Sequence, residues 1–233
     1  LTETSPVIAC NRPGESVPGT VGPPLPGVKV KIVDPDDEGV GEIATRGDHV
    51  MKGYYKNPEA TAQVLRDGWF HTGDLGRLDS EGFLSITGRQ KDMIVTRGGK
   101  NVYPDYVEKF INDIPLVAES VVIGYKTEGE AGEDVGALVY PDYDALLETA
   151  AAEKAALSHP MTVDTLNDDD RYELVELFRT RIERAVQAEM KQLPHYMRVT
   201  RVVVEVEEFT KTSTRKIKRF LYRGRLDVRD IEA

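Results

Sequence analysis

The sequence is poor in cysteine and in long apolar runs, and it has fewer basic than acidic residues. Its single cysteine, Cys10, cannot form an internal disulfide, which favours a reducing compartment such as the cytoplasm. Lys and Arg total 30 against 40 Asp and Glu, and the resulting net charge of -10 argues against a general affinity for nucleic acid or for an anionic membrane. No apolar run is long enough to span a bilayer. We therefore predict a globular cytoplasmic protein without a transmembrane segment, and leave peripheral contact with a membrane open.

Composition and turn residues divide the chain into regions of different character. With 233 residues and 40% hydrophobic content, it can form one large or two modest domains with buried cores. Frequent Pro and Gly in residues 1–26 predict an irregular segment. A β-rich region follows up to residue 88, and strands alternate with helices from residue 89 onward. We therefore predict an α+β protein with two domains, residues 1–88 and residues 89–233.

Hydrophobic periodicity predicts the individual elements. Strands are expected where apolar and polar residues alternate or β-branched residues cluster, at 28–33, 42–46, 75–78, 83–86, 92–96, 119–124, 135–139 and 199–206. Helices are expected at 57–65, 104–114 and 143–156, the first with Asn57 as N-cap and Pro58 in its first turn.

A long helix is predicted after the polar run 167–170, whose Asn and Asp side chains can cap its first turn. Apolar side chains recur along this helix every three or four residues and would form one stripe: Leu174, Leu177, Phe178, Ile182, Ala185, Val186 and Met190. Such a stripe fits packing on a sheet of the same domain. A helix that binds a partner is the alternative.

Four short segments are rich in glycine or in polar and charged residues. They are residues 1–6 (LTETSP), 68–74 (GWFHTGD), 88–94 (GRQKDMI) and 212–219 (TSTRKIKR). In this order they resemble the C-terminal part of the adenylate-forming synthetases, the superfamily of acyl-CoA synthetases, beetle luciferases and the adenylation domains of peptide synthetases. The resemblance covers nearly the whole chain. It implies that residue 1 falls inside a nucleotide site, so we expect a fragment that is inactive by itself.

The resemblance also implies a domain organisation. Residues 1–88 would be the distorted-barrel remnant of a large AMP-binding domain, and residues 89–233 a mobile C-terminal lid domain. Lys91 takes the place of the family's hinge residue, at an element end where backbone torsions can change while the side chain stays solvated. The missing N-terminal portion of the same chain is then an expected partner.

The substrates implied by the resemblance are ATP, a carboxylic acid and CoA, with Mg²⁺ as the metal. Glu3 is expected to ligate Mg²⁺, a hard ion that prefers oxygen, and Thr2 to donate to the α-phosphate. Asp74 is expected to accept from both ribose hydroxyls, and Arg89 to bind the ribose and phosphate. His71 lies in the same segment and is predicted to be structural, because adenylation needs no histidine base.

Two later segments are expected to serve the two half-reactions. Lys216 corresponds to a lysine that bridges the acyl carboxylate and the α-phosphate, where a mobile cation offsets the repulsion between two anions. Gly98, Gly99 and Lys100 match a loop that lines the CoA channel, where glycines let the backbone approach a ligand closely.

The chain departs from the family pattern at two positions. Arg215 replaces the glycine that usually precedes the lysine, which puts the flexibility of that loop in question. Tyr106 replaces a usual glutamate, whereas Glu108 is retained.

The branch of the family is indicated by residues 121–124 and 136–146, which are similar to the long-chain fatty-acid CoA ligases, and by a long insertion at 143–166. The predicted function is therefore an AMP-forming acyl-CoA synthetase that acts on a long-chain fatty acid through an acyl-adenylate. A non-catalytic lid or interaction module and a freestanding adenylation domain of the peptide-synthetase type are the alternatives.

Overall fold

The computed structural model describes residues 1–127 and 131–227, and the chain divides into two units, Leu1–Asp92 and Met93–Ala233. The mixed α+β class predicted from the sequence is confirmed. The predicted domain boundary after residue 88 falls inside a strand, and the two units separate a few residues later, after Asp92.

The first unit begins with an irregular segment, as the Pro and Gly content predicts. Apart from a short 3-10 turn, Thr2–Thr4, residues 1–28 contain only isolated bridges, Ala9 to Pro24 and Gly22 to Leu84. Gly22 has a φ of +95°, and a Cβ there would lie 2.2 Å from the carbonyl carbon of Cys10. This close passage of two backbones requires glycine.

The rest of the first unit is a curled antiparallel sheet with one short helix. Its elements are β1 (Lys29–Val33), β2 (Gly41–Arg46), α1 (Pro58–Val64), β3 (Leu65–Arg66), β4 (Trp69–Leu78) and β5 (Leu84–Arg89). The strand order is β1-β2-β4-β3, and β5 pairs with β4. Register shifts at Glu42/Ala44 and Leu75/Gly76 increase the local twist and curl the sheet. The distorted-barrel region that the resemblance implies is confirmed, as a curled half-barrel sheet.

The described part of the second unit contains two small sheets and three α-helices. Its elements are β6 (Ile94–Val95), β7 (Asn101–Val102), α2 (Pro104–Asn112), β8 (Val117–Tyr125), β9 (Asp134–Pro141), α3 (Tyr143–Glu153), α4 (Asp168–Glu189) and β10 (Arg201–Val204). The larger sheet has the order β10-β9-β8, with β8 antiparallel and β10 parallel to β9.

Strand β8 explains why this larger sheet is buried on both faces. Val122 packs into the cluster that includes the three helices, whereas Val121, Ile123 and Tyr125 pack into a second cluster with Phe209. Successive side chains of a strand point to opposite faces, so one apolar run serves two cores. The run is therefore nearly continuous rather than alternating.

The long helix α4 packs on the sheet of its own unit. The Asn167 side chain accepts from the Asp170 N–H at 3.0 Å and caps the first turn. Most of the predicted stripe is buried, which favours core packing over the partner-binding alternative. Leu177 is the exception, because it is 46% exposed and points away from the core, so its place in the stripe was wrong.

Two further details differ from the sequence-based expectation. A short strand, β7, pairs with β6 before α2 begins, so residues 96–100 form a hairpin tip rather than a direct turn from strand to helix. The strand predicted at 199–206 is shorter, Arg201–Val204, although Thr200 and Glu205 still donate to β9 carbonyls.

Within the described ranges, no helix has the length and apolar character needed to cross a bilayer.

Candidate functional site

A cleft of about 220 Å³ opens in the first unit next to the segment 68–74. Asp74 and Thr72 form its polar part, and apolar side chains line most of the remainder, among them Ile8, Leu84 and Ile86. Ile86 is 54% exposed. The cleft therefore offers a carboxylate beside an open apolar wall.

Asp74 and Arg89 face each other across the β4–β5 pair, fifteen residues apart in sequence but aligned in register. The Arg89 Nε lies 2.7 Å from Asp74 Oδ1, and Arg89 Nη1 also donates to the Thr72 carbonyl at 3.3 Å. Both side chains remain partly exposed, at 38% for Arg89 and 22% for Asp74. The structure thus brings together the two residues that were predicted to act on one ligand.

The backbone around Asp74 is held by buried hydrogen bonds that the sequence did not indicate. The Thr72 hydroxyl donates to the Ile43 carbonyl at 2.7 Å and accepts from the Asp74 N–H at 3.0 Å. Glu42 accepts from the Gly73 N–H at 3.1 Å and contacts His71 Nδ1 at 2.7 Å. His71 therefore takes part in a scaffold contact with Glu42, in agreement with its predicted structural role.

Glu3 lies in the 3-10 turn at the start of the chain, where its backbone carbonyl accepts from the Met51 N–H at 2.8 Å. Its side-chain Oε1 accepts from the Tyr54 hydroxyl at 3.1 Å. Burial and the contact with Glu3 raise the pKa of the Tyr54 hydroxyl, so Tyr54 remains a donor at neutral pH. Thr2, which precedes Glu3, is exposed.

The fit of Glu3 to a magnesium ion can be judged from the donors around it. Among the described residues, no group of three or more His, Cys, Asp or Glu side chains is placed to hold a metal. Mg²⁺ usually keeps several waters and is bound through one or two carboxylates together with substrate phosphates. A single partly exposed carboxylate oriented by Tyr54 fits that mode of binding and does not fit an all-protein cage.

Lys91 lies in a 3-10 turn, Gln90–Asp92, which directly follows β5 and ends the first unit. The side chain is exposed. The residue thus stands at an element end, where a backbone torsion can change without breaking a strand pair.

The loop with Gly98, Gly99 and Lys100 is the tip of the β6–β7 hairpin. The Gly99 N–H donates to the Thr96 carbonyl at 2.8 Å, and the Lys100 N–H donates to the Thr96 hydroxyl at 3.1 Å. Gly99 has a φ of +71°, and a Cβ on either glycine would meet no atom within 4 Å. The tip is fully exposed, so it is open to a ligand.

Lys216 lies on a small hairpin whose strands meet at the Lys211–Ile217 bridge. The Thr212 N–H donates to the Lys216 carbonyl at 2.8 Å, and the Lys216 N–H donates to the Thr212 hydroxyl at 3.1 Å. Residues 212–216 are exposed. The hairpin fixes the backbone position of Lys216 and leaves its side chain at the surface.

Arg215 occupies the left-handed region in this hairpin, with a φ of +61°. Its N–H donates to the Thr212 carbonyl at 2.9 Å, which is the geometry of a three-residue hairpin loop that ends in a left-handed residue. Glycine adopts this conformation without steric cost, whereas a side chain costs roughly 1–2 kcal/mol. The structure therefore explains in steric terms why glycine suits the position before the lysine.

We expect Arg215→Gly to raise the free energy of unfolding by about 0.5–1 kcal/mol, because the relief of strain exceeds the extra entropy of glycine in the unfolded chain. Urea denaturation of the two proteins measures the difference. Ser213→Gly is the matched control in the same loop, because Ser213 lacks a positive φ and should gain nothing. An unchanged or lower stability for Arg215→Gly would show that the left-handed conformation is not strained here.

Comparison with known proteins adds an independent finding. A family model described as AMP-binding enzyme matches residues 1–55. The long-chain-fatty-acid–CoA ligase FadD15 of Mycobacterium bovis is 43% identical over 145 residues, which cover 62% of this chain and 22% of the relative. A long-chain-fatty-acid–CoA ligase of Escherichia coli O157:H7 is 39% identical over 154 residues, covering 64% of this chain and 27% of the relative. The chain thus spans about a quarter of the length of these curated relatives.

The fold also matches solved structures. The crystal structure of the anthranilate CoA ligase AuaEII in complex with anthranoyl-AMP superposes with a TM-score of 0.71 at 25% identity. That match covers 97% of this chain and 39% of the other.

Proposed function

We propose, on the premise that this chain belongs to the AMP-binding, adenylate-forming family of acyl-CoA ligases, that it supplies the ribose-binding pair and the adenylation lysine of such an enzyme. In the proposed reaction, an acid and ATP give an acyl-adenylate and pyrophosphate, and CoA then displaces AMP to give the acyl-CoA. The chain would act together with a preceding portion of the same polypeptide, which would hold the phosphate loop and the acyl tunnel. By itself it is expected to be inactive.

The observation that carries this proposal is the Asp74–Arg89 pair beside the apolar cleft. An ionised carboxylate has acceptor sites for several donors. Asp74 can therefore accept from vicinal ribose hydroxyls while it keeps its contact with Arg89, and Arg89 supplies a cation for the phosphate next to that ribose. The bond from the Asp74 N–H to the Thr72 hydroxyl holds the backbone that carries this carboxylate before the ligand arrives.

Glu3 would hold Mg²⁺ together with the phosphates of ATP, and the metal would neutralise phosphate charge when bound. Tyr54 orients the Glu3 carboxylate for this contact. Thr2 would donate its hydroxyl to the α-phosphate. These roles place two neighbouring side chains on the phosphates and the Asp74–Arg89 pair on the ribose.

Lys216 would act in the first step only. Attack by the acyl carboxylate brings one anion against another at the α-phosphate, and a cation that contacts both lowers this barrier. In the second step the glycine hairpin tip, with Gly98, Gly99 and Lys100, would line the path of CoA. Lys91 would be the pivot that exchanges one arrangement for the other.

We further propose a long-chain fatty acid as the substrate. Support comes from the two long-chain ligases described above and from the similarity of residues 121–124 and 136–146 to that branch.

We expect Asp74→Asn in the whole enzyme to lower kcat/KM for ATP by about 10- to 100-fold, because hydrogen bonds to a charged group are worth roughly 1.5–3 kcal/mol and the amide loses that charge. Asp79→Asn is the matched control. It lies on the turn of the same hairpin, where its side chain only accepts from the Glu81 and Phe83 N–H groups. A kcat/KM for ATP equal to wild type in Asp74→Asn would remove the ribose role from the proposal.

A further inference from the structure

Outside the cleft beside Asp74, several ion pairs lie at the two ends of the hairpin that carries Lys216. Lys211 lies in the first strand of this hairpin, opposite Ile217. Its Nζ lies 2.8 Å from Glu119 on β8 and also contacts Glu208. The hydrogen bonds to Glu119 and Glu208 raise the pKa of Lys211, so the cation persists well above neutral pH. The first strand of the hairpin is therefore held to the β10-β9-β8 sheet by an ion pair.

The second strand of the hairpin is held by Arg219, which lies three residues after Lys216. The guanidinium makes a forked contact with the carboxylate of Glu108 on α2, with Nη2 at 3.0 Å from Oε2 and Nη1 on Oε1. It also donates to Asp105 at 2.6 Å and to the Val122 carbonyl at 3.0 Å. Its side chain is only 17% exposed. One side chain thus joins the hairpin to both α2 and β8.

Glu108 is itself fixed by the sheet. It is 13% exposed, and its Oε1 accepts from the Val122 N–H at 2.6 Å. Burial raises the pKa of Glu108, while Arg219 and the Val122 amide oppose that rise. A buried carboxylate held on two sides leaves Arg219 little positional freedom.

These contacts contrast with the hairpin tip. Residues 212–216 are exposed, and Thr212, Thr214, Arg215 and Lys216 are hydrogen-bonded to one another within the hairpin. The tip therefore has little packing of its own to set its direction. Its direction is set at the two strand ends, by Lys211 and by Arg219.

We propose that Arg219, held by Glu108, is a positioning residue for Lys216. The forked contact sets the direction in which the hairpin presents the adenylation lysine, and Arg219 itself contacts no substrate. The inference rests on the proposed function, because it needs Lys216 to act in adenylation. Asp105 takes part in the same contact, next to Tyr106, where the family pattern has glutamate. In this chain, Arg219 therefore contacts a second carboxylate at position 105, one residue before the position where the family pattern has glutamate.

The test uses Arg219→Lys in the whole enzyme, because lysine keeps the charge and loses the fork. We expect kcat for acid-dependent ATP–pyrophosphate exchange to fall by about 10- to 100-fold with KM for ATP unchanged, since small misplacements of a catalytic group have effects of that size. Thioester formation from supplied acyl-adenylate should stay at the wild-type rate. In a Lys216→Ala background, Arg219→Lys should cause no further loss.

Arg225→Lys is the matched control, because Arg225 lies in the same unit and pairs with Glu205 while 60% exposed. It should leave both half-reactions unchanged. If Arg219→Lys does not fold, Glu108→Gln replaces it, since the amide keeps the shape and can still accept from Val122 while it loses the charge. The same selective loss of adenylation is expected.

The outcomes separate this inference from the proposed function. If Lys216→Ala lowers exchange and Arg219→Lys does not, the positioning role is wrong and the proposed function stands. Equal losses of both half-reactions in Arg219→Lys would indicate a role in folding and overturn the inference. Exchange that is unaffected by Lys216→Ala would overturn both.

Discussion

Lys216→Ala should lower acid-dependent ATP–pyrophosphate exchange by about 100- to 1000-fold, the size of effect seen when one preorganised charge-stabilising group is removed from an active site. The lysine is exposed on a hairpin whose backbone bonds remain after truncation, so the fold should survive. Thioester formation from supplied acyl-adenylate should stay within about twofold of wild type, because the anionic repulsion that we propose the lysine offsets belongs to the first step.

Lys218→Ala is the control for that experiment. Lys218 lies two residues further along the same hairpin, and its N–H donates to the Thr210 carbonyl at 2.9 Å. Its removal should leave both half-reactions near wild type. An equal loss in the two half-reactions of Lys216→Ala would mean that the lysine serves general phosphate binding or folding instead.

Lys91→Pro should give the opposite separation, with exchange retained and acyl-CoA synthesis reduced by at least about tenfold. Proline fixes φ near about -65° and removes an N–H, so it obstructs a change of torsion at this turn. Asp74 and Arg89 lie on β4 and β5 before the turn and should keep their contact. Rates of both half-reactions, measured on the same preparation, test the prediction.

Two controls distinguish a blocked torsion in Lys91→Pro from a loss of stability or of the side chain. Thermal unfolding shows whether the proline has only destabilised the protein, because a misplaced proline can cost about 3 kcal/mol. Lys91→Ala removes the side chain but leaves the torsions free, and it should retain both half-reactions. A folded Lys91→Pro enzyme with a normal rate of acyl-CoA synthesis would place the pivot elsewhere.

Local rules in the sequence predicted much of the fold. The Asn57 and Asn167 caps, the β4–β5 hairpin and the apolar run of β8 depend on neighbours within a few residues, and each element forms close to its expected place. Strand β4 differs from the prediction because it begins at Trp69, whereas a strand was predicted only at 75–78. The other elements that differ are short. Strands β3 and β7 have two residues each, which is too few for a hydrophobic period to be recognised.

Long-range contacts account for what the sequence did not show. Arg219 and Glu108 are separated by 111 residues, and no local pattern marks one as the partner of the other. Thr72 and Glu42 were missed for the same reason, since their role is to hold the backbone beside Asp74. The buried face of α4 is centred on the Val175 side of Leu174, so Val175 is buried and Leu177 is exposed, and the spacing of apolar residues alone does not show which side faces the core.

We propose that this chain is part of an enzyme that activates a fatty acid as its adenylate. The most direct measurement incubates the whole enzyme with ATP, CoA and a long-chain fatty acid, and resolves adenine nucleotides and thioesters by chromatography with mass detection. We predict equal amounts of AMP and acyl-CoA, with acyl-adenylate accumulating when CoA is omitted. Formation of ADP in place of AMP, or AMP without any acyl-adenylate or acyl-CoA, would contradict the account.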